Sequence, residues 1–482
     1  MIAPPPRLTA NYQARREYAP DGYPAVSGLL LGQLAEGFPP SVAVRVCKAE
    51  GSPYSAAGGW ARLADADFPE PVPADADTLF DLASLTKVVA TLPLVLLLHQ
   101  RGQWSIDDPV ARWLPGAPPS PVTISQCLLH VSGLIPHRSY YATCAGPAEI
   151  RQAVIAELAS AVPGQVSYSD LGFMLLGWAV EECAGEPLAD LAFDEVFGPL
   201  GMTSTGYLPR VPLERIAATE ADGDQRAGGG VVWGQVHDGN AFALGGVSGH
   251  AGLFGTAEDL GRFASALLTP ERHPVLSAGT LALMTARRAG SGAEPRVLGW
   301  RLDPAAWGDW PDGTIWHTGF TGTSLLIARE LGVAVVLLSN AVHPVRRLDR
   351  IGAFRAEVHR AIREALDFPV DAGGLSGRAV AMEDFGAVGA AGAGGAVGVE
   401  RDRPALLVDG HVVMVKAKKC AAVHAGLPAV RQVGDMVHLT GRGGLVTAAR
   451  PAAVLIAEDD RAADRGGDVG GVADIQRQAG AS

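Results

Sequence analysis

Residues 80–91 read FDLASLTKVVAT and lead into the longest apolar run of the chain, Val88 to Leu98. Ser84 and Lys87 are three residues apart, so on a helix their side chains lie on one face. A serine hydroxyl becomes a nucleophile when a neighbouring group takes its proton, and a lysine kept neutral can do so. A helix start adds the positive end of the dipole and free backbone N–H groups. A serine that only caps an apolar helix gives the same pattern, so the motif alone leaves both interpretations open.

The use of lysine favours the catalytic interpretation. The chain has 39 basic residues, and the lysines among them are Lys48, Lys87, Lys416, Lys418 and Lys419. The first 370 residues therefore contain two lysines, and one of them follows the serine by three positions. Arginine keeps its proton in proteins, whereas a buried lysine can lose it. We therefore predict that Lys87 acts on Ser84.

A second candidate motif, Tyr168-Ser169-Asp170, directly precedes an amphipathic helical pattern. Tyr168 could pass protons to and from a substrate if a cation such as Lys87 lay beside it. The alternative is a packed tyrosine followed by an aspartate that caps the helix.

The third motif, His317-Thr318-Gly319, ends a predicted strand and is followed at a turn by Phe320. A strand edge beside the serine can supply a backbone N–H to an oxyanion hole, where one donor is worth roughly 3–4 kcal/mol of activation barrier. The alternative is a histidine that is hydrogen-bonded within its strand.

The order of predicted elements indicates an α+β domain. Hydrophobic periodicity and turn residues predict strands at 41–46, 314–318, 322–327 and 333–339, and helices at 25–36, 84–100, 170–182, 187–197 and 351–366. Thr123 is the predicted cap of a further short helix, and Pro93 predicts a bend in the apolar one. Because strands lie near both chain ends, we predict one antiparallel sheet built from both, flanked by helices, with an inserted helical subdomain.

Composition divides the chain near residue 370. Residues 1–370 contain 29 of the 30 aromatic residues, whereas residues 371–482 contain Phe385 alone and 44 alanines and glycines. Such a segment has little bulk to offset its ordering entropy. We predict an N-terminal extension over 1–24, a catalytic domain over 25–370 and a poorly ordered extension over 371–482, with a possible β-like piece at 405–415.

Charge and cysteine usage exclude several classes of protein. The net charge of −12 argues against a nucleic-acid binder. The apolar run is shorter than the roughly 20 residues of a membrane span, so it predicts a core helix. The first 20 residues lack the apolar stretch of an export signal, and five widely spaced cysteines indicate reduced thiols. Together these features predict a cytoplasmic protein.

A glycine-rich loop carries His237, Asp238, Asn240 and His250. Imidazole and carboxylate groups are good metal ligands, but this spacing fits no compact metal motif. We therefore predict a loop that lines the substrate site, with neither a metal nor a cofactor. His130, at the end of the short predicted helix, is interpreted as a structural histidine.

The three motifs, in this order and on these elements, resemble those of the serine β-lactamase and penicillin-binding-protein superfamily, whose pattern is S-x-x-K, then Y-x-N or S-x-N, then K-T-G. The tyrosine-led second motif is most similar to class C-like members. Three flanking segments are similar to those of β-lactamase-related hydrolases, a group that includes esterases and cytoplasmic amidases recycling muropeptides. They are ISQCLLHVSGL at 124–134, GPLGMTSTGY at 198–207 and GVSGHAGLFGTAEDL at 246–260. The likeness spans about residues 25–366 and implies a β-lactamase/transpeptidase-like fold.

The resemblance also implies roles for individual residues. Ser84 would be the acylated nucleophile, Lys87 its activator and Tyr168 the general base and acid. The backbone N–H groups of Ser84 and Phe320 would form the oxyanion hole. The substrate-binding set would comprise Asp170, His250, His317, Thr318 and Gly319.

Two positions depart from the family pattern. Asp170 stands where the pattern has Asn, and His317 stands where β-lactamases and transpeptidases have a lysine that helps to hold the substrate carboxylate. The chain is therefore expected to be a serine hydrolase that forms an acyl-enzyme with an ester or amide, such as a cell-wall-derived muropeptide amide or a small ester. A β-lactamase or D,D-peptidase is one alternative, and a catalytically silent protein that binds cell-wall fragments is another. The oligomeric state stays open.

Overall fold

The computed structural model of the chain describes residues 23–221, 230–286, 295–302 and 304–367, the short strands Glu17–Tyr18 and Arg288–Ala289, and several strands of the C-terminal segment. The chain divides into two compact units. One comprises residues 1–19 and 37–366, and the other comprises residues 20–36 and 367–482.

An antiparallel sheet lies at the centre of the first unit. Its strands follow one another from edge to edge as Glu17–Tyr18, Tyr54–Arg62, Ser41–Lys48, Val333–Ser339, Ser324–Ala328, Ile315–Thr318, Arg301–Leu302, Arg296–Val297 and Arg288–Ala289, and Val72–Pro73 pairs with Tyr54–Arg62 beside this path. The two ends of the unit meet in the middle, where Val44 pairs with Leu337. The predicted α+β fold, with one sheet built from both chain ends, is confirmed.

Most of the α-helices lie in the sequence between the two halves of the sheet. The α-helices of the first unit are Leu92–Gln100, Ile124–Leu128, Pro147–Ala156, Asp170–Ala184, Leu188–Ala192, Gly239–Ala243, Ala257–Leu268, Ala278–Ala286 and Leu348–Asp367. The predicted cap at Thr123 is present: its hydroxyl accepts the Gln126 N–H, and the Gln126 side chain returns a bond to the Thr123 N–H. A small sheet of Phe80–Asp81, Leu253–Gly255 and Gly206–Tyr207 supports the residues before Ser84.

The predicted apolar helix runs without interruption from Ala83 to Gln100, but its winding changes along the way. A 3₁₀ turn over Ala83–Leu85 is followed by a wider turn over Lys87–Thr91, in which the Leu92 N–H bonds the carbonyl five residues earlier. The widening precedes Pro93, which has no N–H to donate. The stretch is apolar and long enough to cross a membrane, yet 83% of it is buried inside the fold, as a core helix would be.

Free cysteines are part of this core. Cys47 and Cys127 are buried, and burial raises their thiol pKa values to about 11 and about 12. Such thiols are unreactive at neutral pH. Cys420 lies outside the described residues.

The second unit contains the helix Pro24–Ala35 and two small sheets. The strands of one sheet are Gly377–Ala379, Ala405–Val408, His411–Met414 and Leu455–Ile456, and those of the other are Ala429–Val433, Met436–Gly441 and Gly444–Ala449. The β-like pattern at 405–415 corresponds to a hairpin in the first of these sheets. The predicted poor order of the remaining tail concerns residues outside the described part of the chain.

Candidate active site

Ser84 lies at the start of the core helix, directly after a strained residue. Ala83 has φ of 47°, a left-handed conformation that a residue with a Cβ rarely adopts. Asp81 holds this turn, because its Oδ1 accepts the Ala83 N–H at 2.8 Å. Ser84 is half-buried, whereas Lys87 beside it is completely buried. Backbone strain at such a place is typical of functional sites.

The amine of Lys87 is surrounded by three acceptors. Its Nζ lies 2.9 Å from Ser84 Oγ, 3.0 Å from the His250 carbonyl oxygen and 2.8 Å from Asp170 Oδ1. An ammonium group has three N–H donors and no acceptor. The three contacts therefore match the charged form of the lysine.

The pKa shifts of Lys87 and Asp170 agree with their close contact. Burial by itself would lower the pKa of Lys87, but the Asp170 carboxylate and Tyr168 raise it above its ordinary value. Burial would also raise the pKa of Asp170, but Lys87, His137 and His250 hold it well below its usual range. Both members are charged at neutral pH. This differs from the expectation of a neutral lysine, because the carboxylate at position 170 outweighs the effect of burial.

Tyr168 lies beside the same ammonium. Lys87 Nζ is 5.2 Å from the centroid of its ring, and the guanidinium of Arg296 is 5.6 Å from it. The ring is half-buried and stacks on His130, with centroids 4.5 Å apart. A negative charge that arises on the phenol oxygen during proton transfer would be attracted by both cations. This placement suits a proton-transfer group.

His317 is buried in the strand Ile315–Thr318, and its ring centroid lies 6.2 Å from that of Tyr168. Burial lowers the pKa of His317 well below its ordinary value, and the neighbouring Lys87 and Arg296 lower it further. The histidine is therefore neutral, so position 317 carries no permanent charge.

The end of this strand lies against the serine turn. A Cβ on Gly319 would come within 2.1 Å of Thr323 Oγ1 and 2.4 Å of the Leu82 carbonyl oxygen, so any larger residue would push the two segments apart. The hydroxyls of Thr321 and Thr323 donate to the carbonyls of Asp81 and Leu82 at 2.7 and 3.1 Å. The loop that contains Phe320 is thus held beside residues 81–83.

Sequence reasoning missed Asp81, which bonds the residue before Ser84 and a histidine that stacks on Phe320. Its carboxylate is buried and accepts the N–H of Ala83 on one oxygen and that of His237 at 2.6 Å on the other. The His237 ring in turn stacks on Phe320, with centroids 5.5 Å apart. The available signal was a charged residue next to the apolar segment that precedes Ser84.

Sequence reasoning also missed Arg296, for which no motif gave a signal. The residue is 0% exposed, and it reaches the site from the short strand Arg296–Val297. It supplies, near Tyr168, the permanent positive charge that position 317 lacks.

The polar side chains of the glycine-rich loop form hydrogen bonds and ion pairs with other residues of the chain. His250 is buried, with Nε2 2.9 Å from Asp238 Oδ1 and Nδ1 2.8 Å from Ser248 Oγ. His237 pairs with Glu220 at 3.0 Å, and Asn240 donates to the Arg138 carbonyl. Within the part of the chain that the structure describes, no group of three or more His, Cys, Asp or Glu residues could hold a metal ion. The loop reaches the site through the His250 carbonyl.

The sequence matches a known family and its relatives. A family model described as Beta-lactamase matches residues 30–360. The protein of Escherichia coli (strain K12) named "Putative D-alanyl-D-alanine carboxypeptidase" is 32% identical over 348 residues, which cover 63% of this chain and 79% of that protein. The N-acetylmuramyl-L-alanine amidase of Bacillus subtilis (strain 168) is 30% identical over 361 residues, or 66% and 80% of the two chains.

Solved structures share the fold. EstCE1, described as a hydrolase with promiscuous acyltransferase activity, is 22% identical with a TM-score of 0.56, and the match covers 70% of this chain and 97% of that one. A class C β-lactamase from Rhodobacter sphaeroides is 21% identical with a TM-score of 0.53, covering 71% and 99%. The predicted β-lactamase/transpeptidase-like fold is confirmed.

Proposed function

The chain belongs to the β-lactamase family and is a serine hydrolase; from this premise, we propose that it cleaves an amide bond of a cell-wall-derived muropeptide through an acyl-enzyme on Ser84. The observation that carries the proposal is the contact of the charged, buried Lys87 with the Ser84 hydroxyl at 2.9 Å. A serine held by an ammonium beside a partly exposed tyrosine has both a stabilised alkoxide and a proton acceptor at hand.

In the acylation step, Ser84 Oγ attacks the substrate carbonyl carbon while Tyr168 takes the serine proton. The Lys87 ammonium keeps its proton and stabilises the negative charge on Oγ. The backbone N–H groups of Ser84 and Phe320 bind the oxyanion. Tyr168 then passes its proton to the leaving nitrogen as the carbon–nitrogen bond breaks.

Deacylation reverses these roles. A water molecule replaces the leaving amine and gives a proton to Tyr168 as its oxygen attacks the ester carbon. The proton returns to Ser84 Oγ when the ester bond breaks, and the acid product leaves. Tyr168 thus returns to its starting state in each cycle.

Two observations support a muropeptide amide as the substrate. The B. subtilis relative is named an N-acetylmuramyl-L-alanine amidase and is 30% identical to the chain over 361 residues. His317 is neutral where β-lactamases have a lysine for the substrate carboxylate. We also propose a cytoplasmic location, which the free buried thiols of Cys47 and Cys127 support.

A D-alanyl-D-alanine carboxypeptidase is the second candidate. The E. coli relative carries that name, and Arg296 brings a permanent positive charge within 5.6 Å of the Tyr168 ring. A terminal substrate carboxylate would be attracted by such a charge.

The test uses the full chain and its Ser84→Ala variant. Intact mass after treatment with an acylating serine-hydrolase probe should show one adduct on the wild type and none on the variant. Turnover of an N-acetylmuramyl-L-alanine peptide should exceed turnover of a D-Ala-D-Ala peptide, nitrocefin and short esters. Preference for the D-Ala-D-Ala peptide would favour the second candidate.

An unmodified Ser84 in folded protein would contradict the mechanism. Muropeptide binding that Ser84→Ala leaves unchanged, with no turnover of any ester or amide, would indicate the catalytically silent binder instead.

A further inference from the structure

His130 holds the segment that carries Tyr168. Its carbonyl accepts the Ser167 N–H at 2.8 Å, and its Nδ1 accepts the Ser169 N–H at 3.0 Å. Its ring stacks on the Tyr168 ring between these two bonds, with an interplanar angle of 27°. One residue therefore contacts three consecutive residues, of which Tyr168 and Ser169 belong to the second motif.

The backbone of His130 is unusual in a way that serves this contact. The residue follows the short helix Ile124–Leu128 and has φ of 57°, in the left-handed region. Histidine and asparagine adopt this conformation more readily than most residues. The ring lies in the interior, at 1% exposure.

The hydrogen bond to Ser169 determines the protonation of the ring. Because Nδ1 accepts an N–H, a neutral ring carries its proton on Nε2. Burial lowers the pKa of His130 well below its ordinary value, Arg296, Lys87 and His317 lower it further, and Asp170 opposes them. The ring is therefore neutral beside the cations of Lys87 and Arg296.

The Nε2–H of His130 lowers the stability of the fold. This buried atom has no hydrogen-bond partner among the described residues. An unsatisfied buried donor lowers stability. An apolar ring would avoid that cost and could still stack on Tyr168, but it could not accept the Ser169 N–H as Nδ1 does.

We propose that His130 is a positioning residue, which keeps the Tyr168 phenol in line for proton transfer. The inference rests on the proposed function, in which Tyr168 moves the proton. Tyr168 lies in the irregular segment before the helix Asp170–Ala184, so no regular backbone structure restrains it. A displacement of about 1 Å at a reacting group can lower a rate about a hundredfold.

Two variants separate the contacts of His130. In His130→Asn, the side-chain oxygen can accept the Ser169 N–H and the residue tolerates the left-handed backbone, but the stack is lost. In His130→Phe, the stack is kept and the acceptor is lost. We expect kcat to fall about tenfold to a hundredfold in each, with KM within about threefold of wild type.

The matched control is His273→Asn. His273 also uses Nδ1 to accept backbone N–H groups, from Val275 and Leu276 at 3.2 and 3.0 Å, and burial lowers its pKa to about 4. It lies in the loop after the 3₁₀ turn Pro270–Arg272. This variant should lose stability without a change in kcat.

A double-mutant cycle distinguishes positioning from a general loss of structure. In a Tyr168→Phe background, His130→Asn should lower the residual kcat by less than about twofold, because its effect acts through the phenol. An equal loss in both backgrounds would overturn the proposal, as would wild-type kcat in both folded His130 variants. His130→Asn decides the outcome if His130→Phe does not fold.

A spectroscopic readout keeps this test apart from that of the proposed function. With 3-fluorotyrosine at position 168, the wild type and His273→Asn should give one narrow ¹⁹F resonance, and His130→Asn a shifted or broadened one. An unchanged resonance would overturn the positioning role. A changed resonance in a protein without hydrolase activity would support positioning and contradict the proposed function.

Discussion

The carboxylate of Asp170 lies 2.8 Å from the ammonium of Lys87, which is completely buried. The corresponding position of the family pattern is a neutral amide. A carboxylate here makes the residue beside Ser84 a cation in the resting protein. In the proposed mechanism the proton acceptor is then another group, Tyr168, whose ring centroid lies 5.2 Å from the ammonium.

Replacement of Asp170 by asparagine is expected to change the pH dependence of activity. The carboxylate that raises the pKa of Lys87 would be absent, whereas the burial that lowers it would remain. The ammonium would then be lost at a lower pH, so the alkaline decline of kcat/KM should move toward neutrality in Asp170→Asn. Rates between pH 6 and 11 measure this shift.

Asp259→Asn is the control for this shift. It changes a buried carboxylate that bonds a backbone group, the Ser204 N–H at 2.7 Å, and not a lysine. Its alkaline decline should stay in place. The role of the ion pair would be wrong if the decline did not move in Asp170→Asn either.

The same substitution should lower the free energy of unfolding by about 3–5 kcal/mol at pH 7, since it leaves a buried charge without its partner. The pKa of Asp170 is depressed, so its contribution is complete above about pH 4 and is lost as the pH falls further. The pKa of Lys87 is raised, so its contribution is complete below about pH 10 and is lost above it. Urea unfolding of both proteins should show the difference shrinking at both extremes. A constant difference across this range would contradict the assignment.

Lys87→Arg is expected to reduce acylation by the probe at least about a hundredfold although it preserves the charge. A planar guanidinium cannot reproduce the two hydrogen bonds to Ser84 Oγ and the His250 carbonyl together with the ion pair to Asp170. The rate of adduct formation, followed by intact mass, measures the effect. Lys48→Arg changes the other lysine of the first 370 residues, which is exposed, and should label at the wild-type rate. Near-normal labelling of Lys87→Arg would show that acylation does not depend on the contacts of the Lys87 ammonium.

Asp81→Asn should lower kcat by about tenfold to a hundredfold, because one of two backbone N–H groups would face a donor instead of an acceptor and the oxyanion hole would shift. Steady-state kinetics, with thermal unfolding to confirm folding, test this. Asp75→Asn is the control, since the exposed Asp75 carboxylate accepts the Asp77 N–H and the Thr78 hydroxyl within one local turn. Equal kcat in wild type and Asp81→Asn would show that the bonds of Asp81 do not position the oxyanion hole.

The folded protein is expected to lose stability in mild acid because His343 is buried in its neutral form. Its Nε2 accepts the Leu63 N–H at 2.9 Å, its Nδ1 lies 2.7 Å from the Thr219 carbonyl oxygen, and burial lowers its pKa to about 4. The unfolded chain binds this proton near pH 6.5, so its contribution is complete above that pH and is lost as the pH falls toward 4, by about 1.4 kcal/mol per unit. His343→Gln should flatten the pH dependence of unfolding over this interval by one proton. An unchanged slope would mean that His343 is already charged in the fold.

Some features of the site followed directly from local sequence. Ser84 and Lys87 are three positions apart, and helical geometry alone brings them together. Thr123 and Gln126 form their capping box for the same local reason. The strands near both chain ends were recognisable from alternation, and their antiparallel pairing was the economical arrangement.

Other residues could not be interpreted without the fold. Asp170 reads equally well as a helix cap, and its pairing with Lys87 depends on two helices meeting in the core. His130 reads as a structural histidine, and its stack on Tyr168 needs the chain to return after 38 residues. Asp81 and Arg296 carry no motif, because what they contact is distant in sequence.

The sequence by itself determined the α+β class, the helix that carries Ser84 and Lys87 and the family resemblance, because each depends on periodicity and spacing over a few turns of chain. Tertiary structure alone decided the charge states. Burial removes the charge of His130 and His317, whereas a carboxylate brought from another helix preserves that of Lys87. Desolvation and Coulomb attraction depend on distance in space, and residue spacing along a chain does not specify that distance.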